Sequence, residues 1–147
     1  MPLSEQDLQP LGSTFKPPSA TYIARLEAET QHMLPPDYRV FLGKYGVCAC
    51  AEYTSFAPSG GPRVDLNVFL GSDPDDSYDL IETYRGLKDR LPDGLLPFAF
   101  DPFGNAVCID LGDNSYGRIY LWDHETESVV FVAKTFHTFL VMLAREP

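Results

Sequence analysis

Cysteine is scarce in this chain, with three in 147 residues, at Cys48, Cys50 and Cys108. An odd count of this kind is not a disulfide framework. Histidine is equally scarce, at His32, His124 and His137, and these six residues offer no usual spacing for four zinc ligands. No metal is expected, and the cysteines read as small buried hydrophobes. No apolar run approaches the ~18 residues needed to cross a bilayer. The opening stretch MPLSEQDLQPLGSTFKPPS has no apolar centre and no basic start, so a secretory signal is not expected and the cytoplasm is the expected compartment. Positive charge is also short. Eleven Lys and Arg stand against 21 Asp and Glu, for a net charge of −10. The deficit is lopsided: residues 63–147 hold fifteen acids and seven bases, whereas residues 1–62 hold six and four. Nucleic acid repels such a chain, because affinity there comes from Lys and Arg neutralising phosphates. Anionic membrane repels it too. A basic protein is what it could attract, although net charge also serves plain solubility.

What is present is enough for a core. The chain is 44% hydrophobic and 13% aromatic, and its length suits one domain at roughly 100–200 residues per domain. Residues 1–19 carry four of the thirteen prolines and read as an N-terminal arm. From Ala20 the spacing of Ile23, Leu26, Thr30 and Met33 predicts an amphipathic helix that ends at Leu34-Pro35. In LPPDYRVFLGKYG, proline opens a second helix, Asp37 complements its positive end, and Tyr38, Phe41, Leu42 and Tyr45 form one stripe. Gly46 is placed to close it in a left-handed conformation.

Strands follow. CACAEYTSF is one, and RVDLNVFLG alternates Val64, Leu66, Val68 and Leu70 against Asp65 and Asn67. The acidic loop SDPDDSYD leads to a third helix over about 77–90, capped by Asp76 or Ser77. LLPFAF and NAVCIDL flank a DPFG turn of type I character. GRIYLWD and SVVFVAK flank HETE as another hairpin. TFHTFLVMLARE is the last helix, with Thr135 as cap and Phe136, Phe139, Leu140 and Leu143 as its stripe. Helices at both ends, a helix between strands and a run of sequential strands give an α+β single domain: a central, mostly antiparallel sheet flanked by about four helices.

The stretch DPFGNAVCIDLGDNSYGRIYLWDHE concentrates five acids, three glycines, a tryptophan and a histidine. An enzyme would need such carboxylates to converge, at roughly 5–9.5 Å for glycoside hydrolysis. Asp101 and Asp110 instead fall at opposite ends of a strand rising about 3.3 Å per residue. Asp123 and His124 sit beside a turn, where such residues bond to backbone. Gly104 and Gly117 fall where turns need positive φ. Trp122 is expected in the core, His137 half-buried on the last helix, and His32 exposed. No phosphate loop, nucleophile elbow or metalloprotease motif is present.

The order of these motifs resembles the SUKH superfamily, the Smi–Knr group. The resemblance rests on Leu34 to Tyr38, then Pro97, Gly104, Asn105, Cys108 and Asp110, then Gly117, Tyr120, Trp122, Asp123 and His124, and finally Phe136, Phe139 and Leu140. It covers residues from about 20 to 145, which makes 20–147 the domain. VCACAEY stands where relatives are often glycine-rich, and Ile119 replaces valine. The resemblance implies a binding protein with no catalytic residue and no cofactor. Bacterial relatives look like immunity proteins that cover a cognate toxin, and eukaryotic ones like regulatory adaptors. The expected partner is then a basic toxin domain, drawn by Asp73, Asp75 and Asp76 in the loop and by Asp113, Glu125 and Glu127 at hairpin ends. Tyr116 is the candidate aromatic anchor.

Overall fold

The computed structural model describes residues 8–10, 16–51, 54–58 and 61–145. The remainder of the proline-rich arm, and Glu52 and Tyr53 of the CACAEYTSF stretch, lie outside the described residues. The chain runs through β1 (Leu8–Pro10), α1 (Ala20–Thr30), α2 (Pro36–Tyr45), β2 (Cys48–Cys50) and β3 (Thr54–Phe56). It continues with β4 (Val64–Asp65), β5 (Val68–Phe69), α3 (Leu80–Leu87), β6 (Leu95–Phe100) and β7 (Ala106–Asp110). It ends with β8 (Ile119–Trp122), β9 (Val129–Ala133), α4 (Phe136–Met142) and β10 (Ala144–Arg145). Two sheets result among the described residues. One has seven strands in the order β1-β2-β5-β6-β7-β8-β9, and the other has three, β10-β3-β4. Every strand pair is antiparallel. The α+β architecture with four helices is the expected one.

Alternation along the strands sorts the core. Val107, Ile109 and Ile119 face the helices and join Tyr38, Phe98, Phe136 and Phe139 in the main cluster. The Tyr38 and Phe136 rings sit 5.0 Å apart, and Phe98 meets Phe139 edge-on at 5.7 Å, the geometry aromatic quadrupoles favour. Ala106, Cys108 and Trp122 face the other way, into a smaller cluster covered by Leu91 and Leu95. The second face of the sheet is therefore only partly covered.

Several expected boundaries shift, each for a local reason. α1 stops at Thr30 because Gln31 adopts a left-handed conformation, leaving Met33 outside the helix and 61% exposed. Gly46 has positive φ at 61°, but its ψ of −143° is extended rather than left-handed helical. CACAEYTSF splits between the two sheets, and RVDLNVFLG does the same at Leu66 and Asn67. Beyond that switch the alternation fails, because Val68, Phe69 and Leu70 are all buried. The third helix begins at Leu80, where Asp79 rather than Asp76 or Ser77 accepts the Glu82 N–H at 3.0 Å. Asp76 cannot serve, since it sits at a φ of 67° inside the loop. The last helix closes at Met142, and Ala144–Arg145 pairs with β3 as a strand. His32 is half-buried and His137 exposed, the reverse of expectation.

Gly71 marks a close crossing. A Cβ there would stand 2.6 Å from the Val47 N and 2.8 Å from the Gly46 carbonyl carbon, so only glycine lets the end of β5 pass the start of β2.

Candidate protein-binding surface

Three carboxylates of the long hairpin region are bound to their own turns. Asp101 is buried and accepts from the Phe103 N–H at 2.9 Å, the Asn105 N–H at 2.8 Å and Asn105 Nδ2 at 2.9 Å. This loop of bonds places Gly104 at a φ of 90°. Asp110 accepts from the Gly112 N–H at 2.8 Å and from the Ser115 hydroxyl. Asp123 accepts from the Glu125 and Thr126 N–H groups, which hold its carboxyl below the usual range. About five residues of strand, roughly 16 Å, separate Asp101 from Asp110. Each carboxylate terminates its own turn, and Asp110 stands at the opposite end of the strands from Asp101 and Asp123.

Asn105 links two of these turns. Its Nδ2 donates to Asp101 while its Oδ1 accepts the His124 N–H at 3.1 Å, so the β6–β7 and β8–β9 turns form one unit. Next to it, the Arg90 guanidinium lies over the Trp122 ring at 5.0 Å, donates to the His124 carbonyl at 2.7 Å and pairs with Glu127 at 2.9 Å. Phe103 projects from this unit, 76% exposed.

The predicted partner residues fall into two groups. The β5–α3 loop and the β7–β8 turn leave the sheet at the end where β6 begins, so Asp73, Asp75, Asp76, Asp113 and Tyr116 share that end. Glu125 and Glu127 lie at the opposite end, across the four residues of β8 or roughly 13 Å of strand. Within the first group Asp73 is only 4% exposed, and its carboxylate accepts the Asp75 and Tyr78 N–H groups at 2.8 Å each. Asp75, Asp76 and Asp113 point to solvent. Tyr116 is half-exposed and its hydroxyl donates to the Met33 carbonyl at 2.5 Å, which fixes the ring against the α1–α2 connection.

Sequence reasoning missed the buried node beneath the acidic loop. The Tyr22 hydroxyl donates to Asp79 Oδ1 at 2.7 Å and accepts the Ile81 N–H at 3.2 Å, while the same carboxylate oxygen accepts the Asp73 N–H. Burial pushes the Tyr22 phenol well above its ordinary pKa. An open cavity of about 460 Å³ lies over this node, bordered by Lys16, Arg25, Asp76 and Glu82, a mixed-charge rim. A tyrosine on the apolar face of a helix gave no signal of this role. The exposed Phe103 and the Val129–Val130 pair were also missed, because an apolar residue in a turn or strand is read as core.

Burial raises the Cys48 thiol to about 12 and lifts Cys108 higher still, so neither is a thiolate near neutrality. Among the described residues no three His, Cys, Asp or Glu side chains come together as a metal cage.

The family model described as SMI1 / KNR4 family (SUKH-1) matches residues 17–142. The chain belongs to this family. It is also 30% identical over 148 residues to the SPbeta prophage-derived uncharacterized protein YokK of Bacillus subtilis (strain 168), covering 85% of this chain and 74% of that one. In this SUKH chain the motif residues that carried the resemblance have structural work. Gly104, Asn105 and Asp110 build the turns, and Trp122, Phe136 and Phe139 build the two cores.

Proposed function

We propose that this SUKH protein is a cytoplasmic immunity protein that neutralises a basic toxin domain by binding it, without turnover, cofactor or metal. The observation that carries the reading is the state of the hairpin carboxylates. Asp101, Asp110 and Asp123 are each occupied by N–H or hydroxyl donors of their own turns, so the acidity of this region reaches a partner as field rather than as chemistry. The net charge of −10 and the exposed Asp75, Asp76, Asp113 and Glu125 supply that field. The prophage origin of the YokK relative fits a role in protection against a toxin.

Charge of this kind acts over a Debye length of about 8 Å at physiological salt, and mainly raises the association rate and rejects wrong partners. Asp73 contributes its charge but not a free carboxylate, and Glu127 is paired with Arg90 at 2.9 Å. The test is co-expression with a candidate basic toxin domain, together with association rates for the purified pair. Growth should be restored, and Asp75→Asn with Asp76→Asn and Glu125→Gln should slow association at low salt while leaving dissociation unchanged. Association that is equally fast for the neutralised variant at low and high salt removes the steering role. Failure of the chain to restore growth removes the immunity reading.

A further inference from the structure

β9 is the terminal strand of the seven-stranded sheet, and nothing among the described residues pairs with its outer side. The Asp123 N–H donates to the Ser128 carbonyl at 2.9 Å, so Ser128 turns its backbone groups inward to β8. By antiparallel alternation Val130 does the same, and Val129 and Phe131 turn their N–H and C=O groups outward. Val129 is 40% exposed and Val130 47%. The strand VVFVA has no charge and no proline along its length. Proteins commonly blunt such an edge with proline, lysine or a very short strand. The opposite edge of this sheet has such protection: β1 is three residues long and ends in Pro10. β9 has none.

We propose that the β9 edge is a self-association site, at which two copies of this chain pair their β9 strands antiparallel about a two-fold axis beside Val130. The order of residues along the strand favours a second copy as occupant. Glu125 and Glu127 precede the apolar stretch and Lys134 follows it. Antiparallel pairing with itself therefore brings Lys134 of each copy to the acidic turn of the other, and parallel pairing would oppose like charges. Lys134 is exposed and makes no ion pair among the described residues. Centring on Val130 sets Val129 of one copy opposite Phe131 of the other, so all outward backbone groups of both residues are bonded. It also makes a cross-strand pair of β-branched and aromatic side chains, a favourable combination. Phe131 is already held in place by an edge contact to Tyr120 at 5.9 Å.

The test is light scattering coupled to size exclusion, on the full chain over a wide concentration range. The expected mass is twice 16.4 kDa. Val130→Lys sets two cations at the two-fold axis and should give a folded monomer, since the side chain is already half in solvent. Lys134→Glu should weaken the dimer on the order of tenfold, and adding Glu125→Lys to it should restore pairing. A native-like thermal transition for Val130→Lys separates lost pairing from lost fold. A wild-type chain of single mass at every concentration overturns the proposal. So does a charge swap that does not rescue. A monomeric chain in which Val130→Lys abolishes toxin protection would assign the edge to the toxin instead, and would equally overturn self-pairing.

Discussion

Replacing Asp101 with alanine separates a structural carboxylate from a functional one. Asp101 accepts three hydrogen bonds at 2.8–2.9 Å while 5% exposed. Bonds to a charged acceptor contribute about 1.5–3 kcal/mol each, but the Phe103 N–H can reach water once freed, so the sum is not additive. A loss of about 3 kcal/mol is expected. For a domain of this size each kcal/mol moves the melting temperature by about 2–4 °C, giving a fall of about 6–12 °C. Asp101→Asn should cost less, about 1–2 kcal/mol. One oxygen still accepts the backbone donors, but its amide then faces the Asn105 amide. Asn105 must turn over to relieve this, and it then loses the His124 N–H. A double-mutant cycle with Asn105→Ala should therefore show a coupling of about 1 kcal/mol or more. Urea titration with calorimetry reads all three. If Asp101→Ala leaves stability within about 0.5 kcal/mol of wild type and yet partner binding is lost, the carboxylate acts on the partner and not on its own turn.

Other consequences can be checked on the same protein. Tyr22→Phe removes the donor to Asp79 and the acceptor of the Ile81 N–H, and should cost about 1–3 kcal/mol in urea midpoint without altering the far-UV spectrum. Gly71→Ala should cost about 1–3 kcal/mol or more, since its Cβ meets main chain at 2.6 Å and not a side chain that can swing away. Stability should fall on the alkaline side: folded pKa values of Cys48, Tyr22 and Tyr38 lie above their ordinary 9.0 and 10.0, so their contribution is complete below pH ~9 and is lost as pH rises toward 12, at up to about 1.4 kcal/mol per unit per group. A urea midpoint that stays flat over that window would contradict the burial of these groups. Asp123 works in the opposite direction, with its depressed pKa giving stabilisation that is present above pH ~4 and lost on acidification below it.

The helices around the core were legible because their signals are local. Pro36 and Asp37 open α2, and Tyr38, Phe41 and Leu42 line its buried side as the spacing requires. The hairpins were legible for the same reason: DPFG and HETE are turns whose side chains bond to adjacent backbone. What escaped depends on distant partners. The switch of sheets between Val64 and Val68 follows from β5 pairing with β6 some thirty residues on, and nothing within RVDLNVFLG specifies it. Asp79 and Asp73 read as two of four loop acids, and only the arrival of Tyr22 from α1 distinguishes them from Asp75 and Asp76. The binding surface was the least legible part, since the predicted acids divide between two ends of the sheet, and Val129 and Val130 are coded like any core strand.

Action by contact, without turnover, is the central property proposed for this protein. If the proposed immunity role holds, the direct measurement is titration of a purified basic toxin domain with purified chain, following toxin activity against molar ratio and time. Stoichiometric binding predicts activity that falls linearly to zero at a fixed molar ratio, does not change on longer incubation, and returns in full when the complex is dissociated. Progressive loss at a small fraction of that ratio, or toxin recovered chemically altered, would mean that the chain turns over a substrate.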